Sequence, residues 1–294
     1  MRVLLTGASG YLGSRLARLL VHHGHDVSAL LRPSSVWQPE GSSALSAVAV
    51  ERVSELERAV SLAREHDIIV HAATTYRGRP LAMLESNVAL PLALLQGAID
   101  GSAEAFVDVG TCLPSSLNGY ALSKAQLTQW LDMVERPEAR PRIVRVEMQH
   151  YYGPGAPARN FLTLVTRRLL SGAAEFELTD GLQRRDFVHI EDVLTAFDAI
   201  LTTLPDHRGD ATYGLGSGEA HPIRDVVSLL ERLSGASAST SLQFGVVPRR
   251  AGEPEVCVAD TSALRDLGWR PEVGLEDGLA DLVESERARL SGER

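Results

Sequence analysis

The sequence predicts an α/β fold: a Rossmann-type doubly wound parallel sheet followed by a smaller mixed α/β C-terminal unit. Three observations carry that expectation. Short β-branched or apolar runs alternate with longer segments of helical period through the first half, and a glycine-rich turn, Gly7 to Gly13, joins the first run to the first helical segment. After Tyr152 the alternation gives way to a texture broken by glycine and proline. A chain of 294 residues has room for two units of ordinary size.

Each element follows from its own pattern. Runs at 2–6, 26–31, 46–50, 67–71, 105–109 and 142–147 are short, apolar and bounded by turn residues, as strands covered on both faces are. Between them, 11–23, 54–65, 80–100 and 119–135 carry helical spacing. Val53, Leu56, Val60 and Leu62 mark the second of these, and Leu81, Leu84, Val88 and Leu92 form a stripe on the third suited to core or dimer contact. Gly153, Pro154, Gly155 and Pro157 stop the rhythm. Beyond them helices are expected near 158–171, 191–204, 221–234 and 275–288, with strands near 176–179, 186–190 and 243–247. Serine-rich stretches at 42–46 and 236–241 read as surface connections. The expected division is a first domain at 1–150 with a returning segment near 183–210, and a second domain over the remainder of 151–294.

Composition narrows the function classes. Apolar residues at 44% and charged residues at 23% match globular averages and exclude disorder. A formal charge of -9 argues against nucleic acid as the main partner. Two cysteines, Cys112 and Cys257, form no disulfide framework and no C-x-x-C pair, so a reduced cytoplasmic compartment is expected. No leader is read at the N-terminus and no apolar run is expected to span a bilayer, so no membrane partner is expected either. The nine histidines lack ligand spacing, and no metal is expected.

The first βα turn is the candidate phosphate cradle, since Gly7, Gly10 and Gly13 let the backbone approach a pyrophosphate at a helix N-terminus. The second strand ends without the acidic residue that would accept from an NAD ribose. Arg32 follows at once, with Ser34 and Ser35 behind it, a group suited to a 2′-phosphate; NADP(H) is the expected cofactor. Of the 29 basic residues one is lysine, Lys124, and it stands four residues after Tyr120. That spacing puts both on one helix face, where an ammonium is expected to lower the tyrosine pKa toward neutrality and make it a usable acid or base.

Gly7 to Gly13, His71-Ala72-Ala73 closing the fourth strand, Asn87, and Tyr120 with Lys124 resemble the extended short-chain dehydrogenase/reductase family of NAD-dependent epimerases and dehydratases. Later segments share the resemblance: Tyr152-Gly153-Pro154-Gly155, Arg185 to Asp192, Arg249 to Glu253, and Leu267-Gly268-Trp269-Arg270-Pro271. It implies that Ser9, Tyr11, Leu12, Ala72, Ala73 and Asn87 join the glycines at the cofactor, and that Lys124 holds its ribose. It implies Thr111, just after the fifth strand, as the third catalytic group, and Thr75, Asn160, Arg185 and Arg250 as substrate contacts, the arginines clamping a diphosphate. Arg52 and Glu147 depart from the family pattern, the first near the adenine pocket.

Within that family the phrases Ala73 to Arg79, Asn118 to Lys124 and Glu177 to Phe187 resemble nucleotide-sugar 4-ketoreductases of the CDP-abequose/CDP-paratose synthase type. Cys112-Leu113 stands where dehydratases and decarboxylases keep an extra acid or base. The resemblance therefore implies an NADPH-dependent reductase of the C4 keto group of a nucleotide-activated 4-keto-6-deoxyhexose, assembled as a homodimer. A redox-neutral 4-epimerase with tightly bound NAD uses the same three residues and stays open, as does a non-catalytic NADP-sensing regulator.

Overall fold

Val3, Leu4, Leu5 and Thr6 of β1 (Arg2–Thr6) are all fully buried, because a strand at the centre of a parallel sheet has helices over both faces. A computed structural model describes residues 1–37, 48–136, 140–204, 209–236 and 241–292. The serine-rich stretch at 42–46 and most of that at 236–241 lie outside the described residues. The chain divides into two compact units, Met1–Glu147 with Phe197–Tyr213, and Met148–Ala196 with Gly214–Arg294.

In the first unit β1 is followed by α1 (Tyr11–His22), β2 (Asp26–Leu31), β3 (Ala49–Arg52), α2 (Leu56–Arg64) and β4 (Ile68–His71). Next come α3 (Pro80–Leu84), a π turn (Glu85–Ala89), α4 (Leu90–Asp100), β5 (Ala105–Val109), α5 (Gly119–Met133) and β6 (Arg142–Met148). The helix α7 (Ile190–Thr203) and the strand β10 (Ala211–Leu215) bring the chain back into this unit. The seven-stranded sheet runs β10-β6-β5-β4-β1-β2-β3, and each pairing from β3 through to β6 is parallel. The order reverses between β1 and β4, the point at which open α/β sheets bind ligands.

Pro80–Asp100 is, by length and composition, apolar enough to cross a membrane, with Glu85, Ser86 and Asn87 interrupting its apolar run. In this unit its C-terminal half packs on α2, and a Cβ on Gly97 would lie 2.2 Å from the Val60 carbonyl oxygen. Leu94, Leu95 and Ala98 enter the same core as Leu4, Ile69, Phe106 and Leu127.

The second unit holds β7 (His150–Tyr152), α6 (Phe161–Leu170), β8 (Glu175–Leu178), β9 (Arg184–His189), β11 (Ala220–Pro222), α8 (Ile223–Ser234), β12 (Ser241–Phe244), β13 (Val256–Cys257), α9 (Ser262–Asp266) and α10 (Leu275–Ser291). β9 pairs with β7, β11 and β13, while β8 pairs with β12. Tyr152, Val165, Phe187, Leu230 and Leu282 make its core. Buried Asp186 accepts from the backbone N–H groups of Ser217, Gly218 and Ala259 and from the Ser217 hydroxyl. Asp192 accepts from the N–H groups of Glu272 and Val273, and Trp269 Nε1 donates to Thr195 at 2.9 Å. The Arg185 to Asp192 and Leu267 to Pro271 phrases thus tie this unit together. The returning segment starts at Phe197 rather than near 183, since 184–189 is the strand on which the second unit's small sheet is built.

Candidate active site

The turn after β1 is closed by Gly10 N–H donating to the Gly7 carbonyl at 2.8 Å. Gly7 has φ +75°, and a Cβ there would lie 2.7 Å from the Ala72 carbonyl carbon and the Ala73 nitrogen. A Cβ on Gly13 would lie 2.1 Å from the Gly7 carbonyl oxygen, so neither position accepts a larger residue. Thr6 Oγ1 fixes the facing loop, accepting from Ala73 N–H at 3.0 Å and meeting His71 Nδ1 at 3.0 Å. Ser9 and Gly10 are exposed, Leu12 is buried beneath them, and the Arg15 guanidinium lies 4.2 Å from the Tyr11 ring centroid. Gly10 caps α1 without any side-chain acceptor for the first-turn N–H groups. A narrow glycine cradle ending in such donors fits a dinucleotide pyrophosphate.

Arg32 is exposed and Ser35 partly buried on the loop after β2. Arg52, expected only as a departure from pattern, anchors this loop: its Nη1 donates to the carbonyls of Arg32, Pro33 and Ser35 at 3.4, 3.2 and 2.8 Å. Asn87 sits in the π turn, fully buried, and its amide is taken up by the protein. Its Oδ1 accepts from Thr75 N–H and the Thr74 hydroxyl, while its Nδ2 donates to the Thr75 carbonyl and Ser123 Oγ. It holds the Thr74–Thr75 loop against α5 rather than offering a polar atom to a cofactor. An irregular turn at such a position is a common device at functional sites.

Asn118 caps α5, its side chain accepting from Ala121 N–H at 2.9 Å, which sets Tyr120 in the first turn and Lys124 one turn on. The Tyr120 ring lies against Tyr76 with centroids 4.8 Å apart. Lys124 Nζ donates to Asp108 Oδ1 at 3.2 Å, with the two side chains 4% and 2% exposed. Burial first, then Tyr76, Asp108 and Cys112, push the Tyr120 hydroxyl well above the ordinary phenol value, and Thr111 pulls the other way. The expected lowering by Lys124 is not seen, because burial of the phenol dominates; Lys124 itself is paired with Asp108 of β5. His71 is buried and pushed well below its usual range, by burial first and then by Lys124, so it stays neutral.

The remaining candidates lie in the second unit. Asn160 caps α6: its Oδ1 accepts from Leu162 N–H and its Nδ2 donates to the Tyr151 carbonyl. Arg185 is buried, paired with Glu253 at 2.6 Å and donating to the Pro254 and Arg184 carbonyls, whereas Arg250 is exposed. His150 has its Nδ1 out of solvent; burial, then Arg185, push it down to about 4. Tyr76, Asp108 and Arg52 had no assigned role in the sequence, since each acts across strands or loops where spacing along the chain is silent.

The chain is similar in sequence and fold to known proteins. The chain is 25% identical to the CDP-abequose synthase of Salmonella typhimurium over 292 residues, covering 96% of this chain and 97% of that one. It is also 25% identical to the UDP-glucose 4-epimerase of Caenorhabditis elegans over 349 residues, covering 96% of both. The solved structure of MoeE5 in complex with UDP-glucose and NAD superposes with a TM-score of 0.82 at 26% identity, over 99% of this chain and 100% of that one. Residues 3–216 match the NAD dependent epimerase/dehydratase family, and the chain belongs to that family.

Proposed function

We propose that the protein is an NADPH-dependent ketoreductase acting on C4 of a nucleotide-activated 4-keto-6-deoxyhexose. The observation that carries this reading is the Tyr120 phenol, kept protonated by burial and packed against Tyr76, with Thr111 and Cys112-Leu113 on the loop after β5 and no further acid or base beside them. Thr111 and Tyr120 together orient a carbonyl oxygen, and Tyr120 gives it a proton. Gly7, Ser9, Gly10 and Gly13 hold the cofactor pyrophosphate, Ala72 and Ala73 line its approach, and Arg32 with Ser35 takes the 2′-phosphate. When bound, NADPH supplies the hydride. Lys124 holds the ribose. Asn87 keeps the Thr75 loop in place beside α5. Arg250 provides an exposed guanidinium for the sugar diphosphate, and Arg185 reaches one only by exchanging Glu253 for it.

The substrate class is supported by the likeness to CDP-abequose synthase across almost the whole chain. The likeness to a UDP-glucose 4-epimerase, equal in identity, keeps a second reading, redox-neutral 4-epimerisation on retained NAD. Incubation with a panel of nucleotide-linked 4-keto-6-deoxy sugars and NADPH, with product NMR, separates them. One NADPH consumed per alcohol formed is the expected result. Interconversion of 4-hydroxy epimers with no net cofactor consumption refutes the reductase reading, and Tyr120→Phe should reduce the single-turnover rate about a hundredfold or more while cofactor still binds.

A further inference from the structure

β2 and β3 end level with one another, Leu31 opposite Arg52, and the Val53 N–H donates to the Leu31 carbonyl at 3.0 Å just beyond the pairing. The chain leaves β2 there in a turn, closed by the Ser35 N–H donating to the Arg32 carbonyl at 2.9 Å. Three carbonyls of that turn, those of Arg32, Pro33 and Ser35, gather around a single nitrogen, Arg52 Nη1. Carbonyl oxygens repel one another when they converge, so a backbone of this shape calls for a cationic donor at its centre. The carboxylate next to Arg52 along β3, Glu51, is taken by Arg58 of α2 at 3.4 Å. Among the described residues neither Arg32 nor Arg52 forms an ion pair. Two guanidinium groups therefore make a positive focus at the end of β2, in a chain whose formal charge is -9.

We propose that Arg52 is a positioning residue for cofactor choice: by clamping the Arg32–Ser35 turn from β3 it presets that turn for a nucleotide 2′-phosphate and adds a second positive charge to it. The inference rests on the reading of Arg32 and Ser35 as the 2′-phosphate contacts. A loose turn would lose its conformational freedom when nucleotide binds, and that cost is subtracted from affinity; a clamped turn meets it on folding. The side chains divide the work. Arg32 and Ser35 supply donors to the phosphate, and Arg52 fixes the backbone from which they leave. A carboxylate at position 52 would reverse both effects, since it cannot donate to carbonyls and would repel a phosphate. Because all three bonds meet on one nitrogen, a lysine ammonium, with three donors on its own nitrogen, can stand in for Nη1, whereas a glutamine amide brings no charge.

The test needs neither substrate nor turnover. Binding of adenosine 2′,5′-bisphosphate and of 5′-AMP, which differ by the 2′-phosphate, is measured by calorimetry on the cofactor-free protein, on Arg52→Gln and on Arg52→Lys. Arg52 is exposed at a strand end, so both variants should fold and melt close to wild type. Wild type should prefer the bisphosphate by about tenfold or more. Arg52→Gln should lose most of that preference while its affinity for 5′-AMP stays within about twofold of wild type, and Arg52→Lys should restore it. Amide exchange gives a second readout with no ligand present: the Ser35 N–H should exchange faster in Arg52→Gln than in wild type. A preference left intact in Arg52→Gln overturns the proposal. So does an equal weakening of both nucleotides, which is what a merely structural residue would give, and so does a lysine that does no better than glutamine. A wild type that binds the two nucleotides alike sinks the NADP(H) reading and takes the proposal with it, whereas a wild-type preference that survives in Arg52→Gln leaves the reading of Arg32 standing.

Discussion

Replacing Gly13 by alanine tests the cradle. The new Cβ would stand 2.1 Å from the Gly7 carbonyl oxygen and 2.5 Å from its carbon, so it falls 0.9 Å short of the 3.0 Å that real Cβ contacts respect. Both obstacles are backbone, and the turn itself must move. Strain of this sort costs about 1–3 kcal/mol, which lowers Tm by about 2–12 °C for a domain of this size. A turn displaced by that much also pulls its N–H groups away from the pyrophosphate. Two charge-assisted bonds at about 1.5–3 kcal/mol each correspond to a loss of roughly a hundredfold or more in cofactor affinity. Gly97→Ala is the matched control: its Cβ would meet the Val60 carbonyl at 2.2 Å, an equal steric insult where α4 packs on α2. Both variants should melt earlier, and Gly13→Ala alone should lose cofactor binding in a fluorescence titration below its melting range. If Gly13→Ala binds NADPH within twofold of wild type while melting like Gly97→Ala, the turn after β1 is a structural turn and the cofactor sits elsewhere.

Arg32→Asp should cut kcat/KM with NADPH by about tenfold or more and leave NADH use unchanged or improved, since it removes one charge-assisted contact and adds a repulsion; a wild type that already prefers NADH contradicts the reading of Arg32. Leu81, Leu84, Leu122, Trp130 and Met133 are exposed on α3 and α5, an apolar surface of the kind that marks association. Light scattering is expected to give about twice the 31.7 kDa chain mass, and Trp130→Glu to lower it; a monomeric wild type removes the dimer from the account. His150 has a depressed folded value near 4, so the stability it contributes is complete above its unfolded value of 6.5 and is lost as pH falls between them, about 3 kcal/mol in all. The fall in Tm between neutral pH and about pH 5 should shrink in His150→Gln, and an equal fall in both proteins rules His150 out as the cause.

Much of the first unit was legible because strands covered on both faces write continuous apolar runs, and the alternation with helices sets their order. The expected strand at 105–109 is β5 to the residue, and 80–100 is helical throughout, with the π turn invisible to spacing. The expected strand at 46–50 is seen as β3 from Ala49, with 46–47 outside the described residues. The second unit was harder to read. β7, β11 and β13 are two or three residues long, too short for any period, and exist because β9 offers them edges to pair with. The strand expected at 243–247 begins at Ser241 and stops at Phe244, where Gly245 and Val247 turn back to donate to the Leu178 carbonyl.

At the site, spacing placed Tyr120 and Lys124 on one helix but could not show what faces them. Tyr120 and Lys124 are neighbours on a helix, and a four-residue interval shows that much. What a side chain's charge does depends on what faces it from another strand, and Asp108 appears in the sequence as one polar residue inside an apolar run. Such a carboxylate costs stability wherever it is buried without a partner, so its presence at the core end of β5 already required a cation. The chain holds one lysine and many arginines, and the cation that meets Asp108 is the lysine, with the two side chains 4% and 2% exposed. Lone lysine and buried aspartate are therefore two halves of one requirement: each supplies the partner that the other's burial demands.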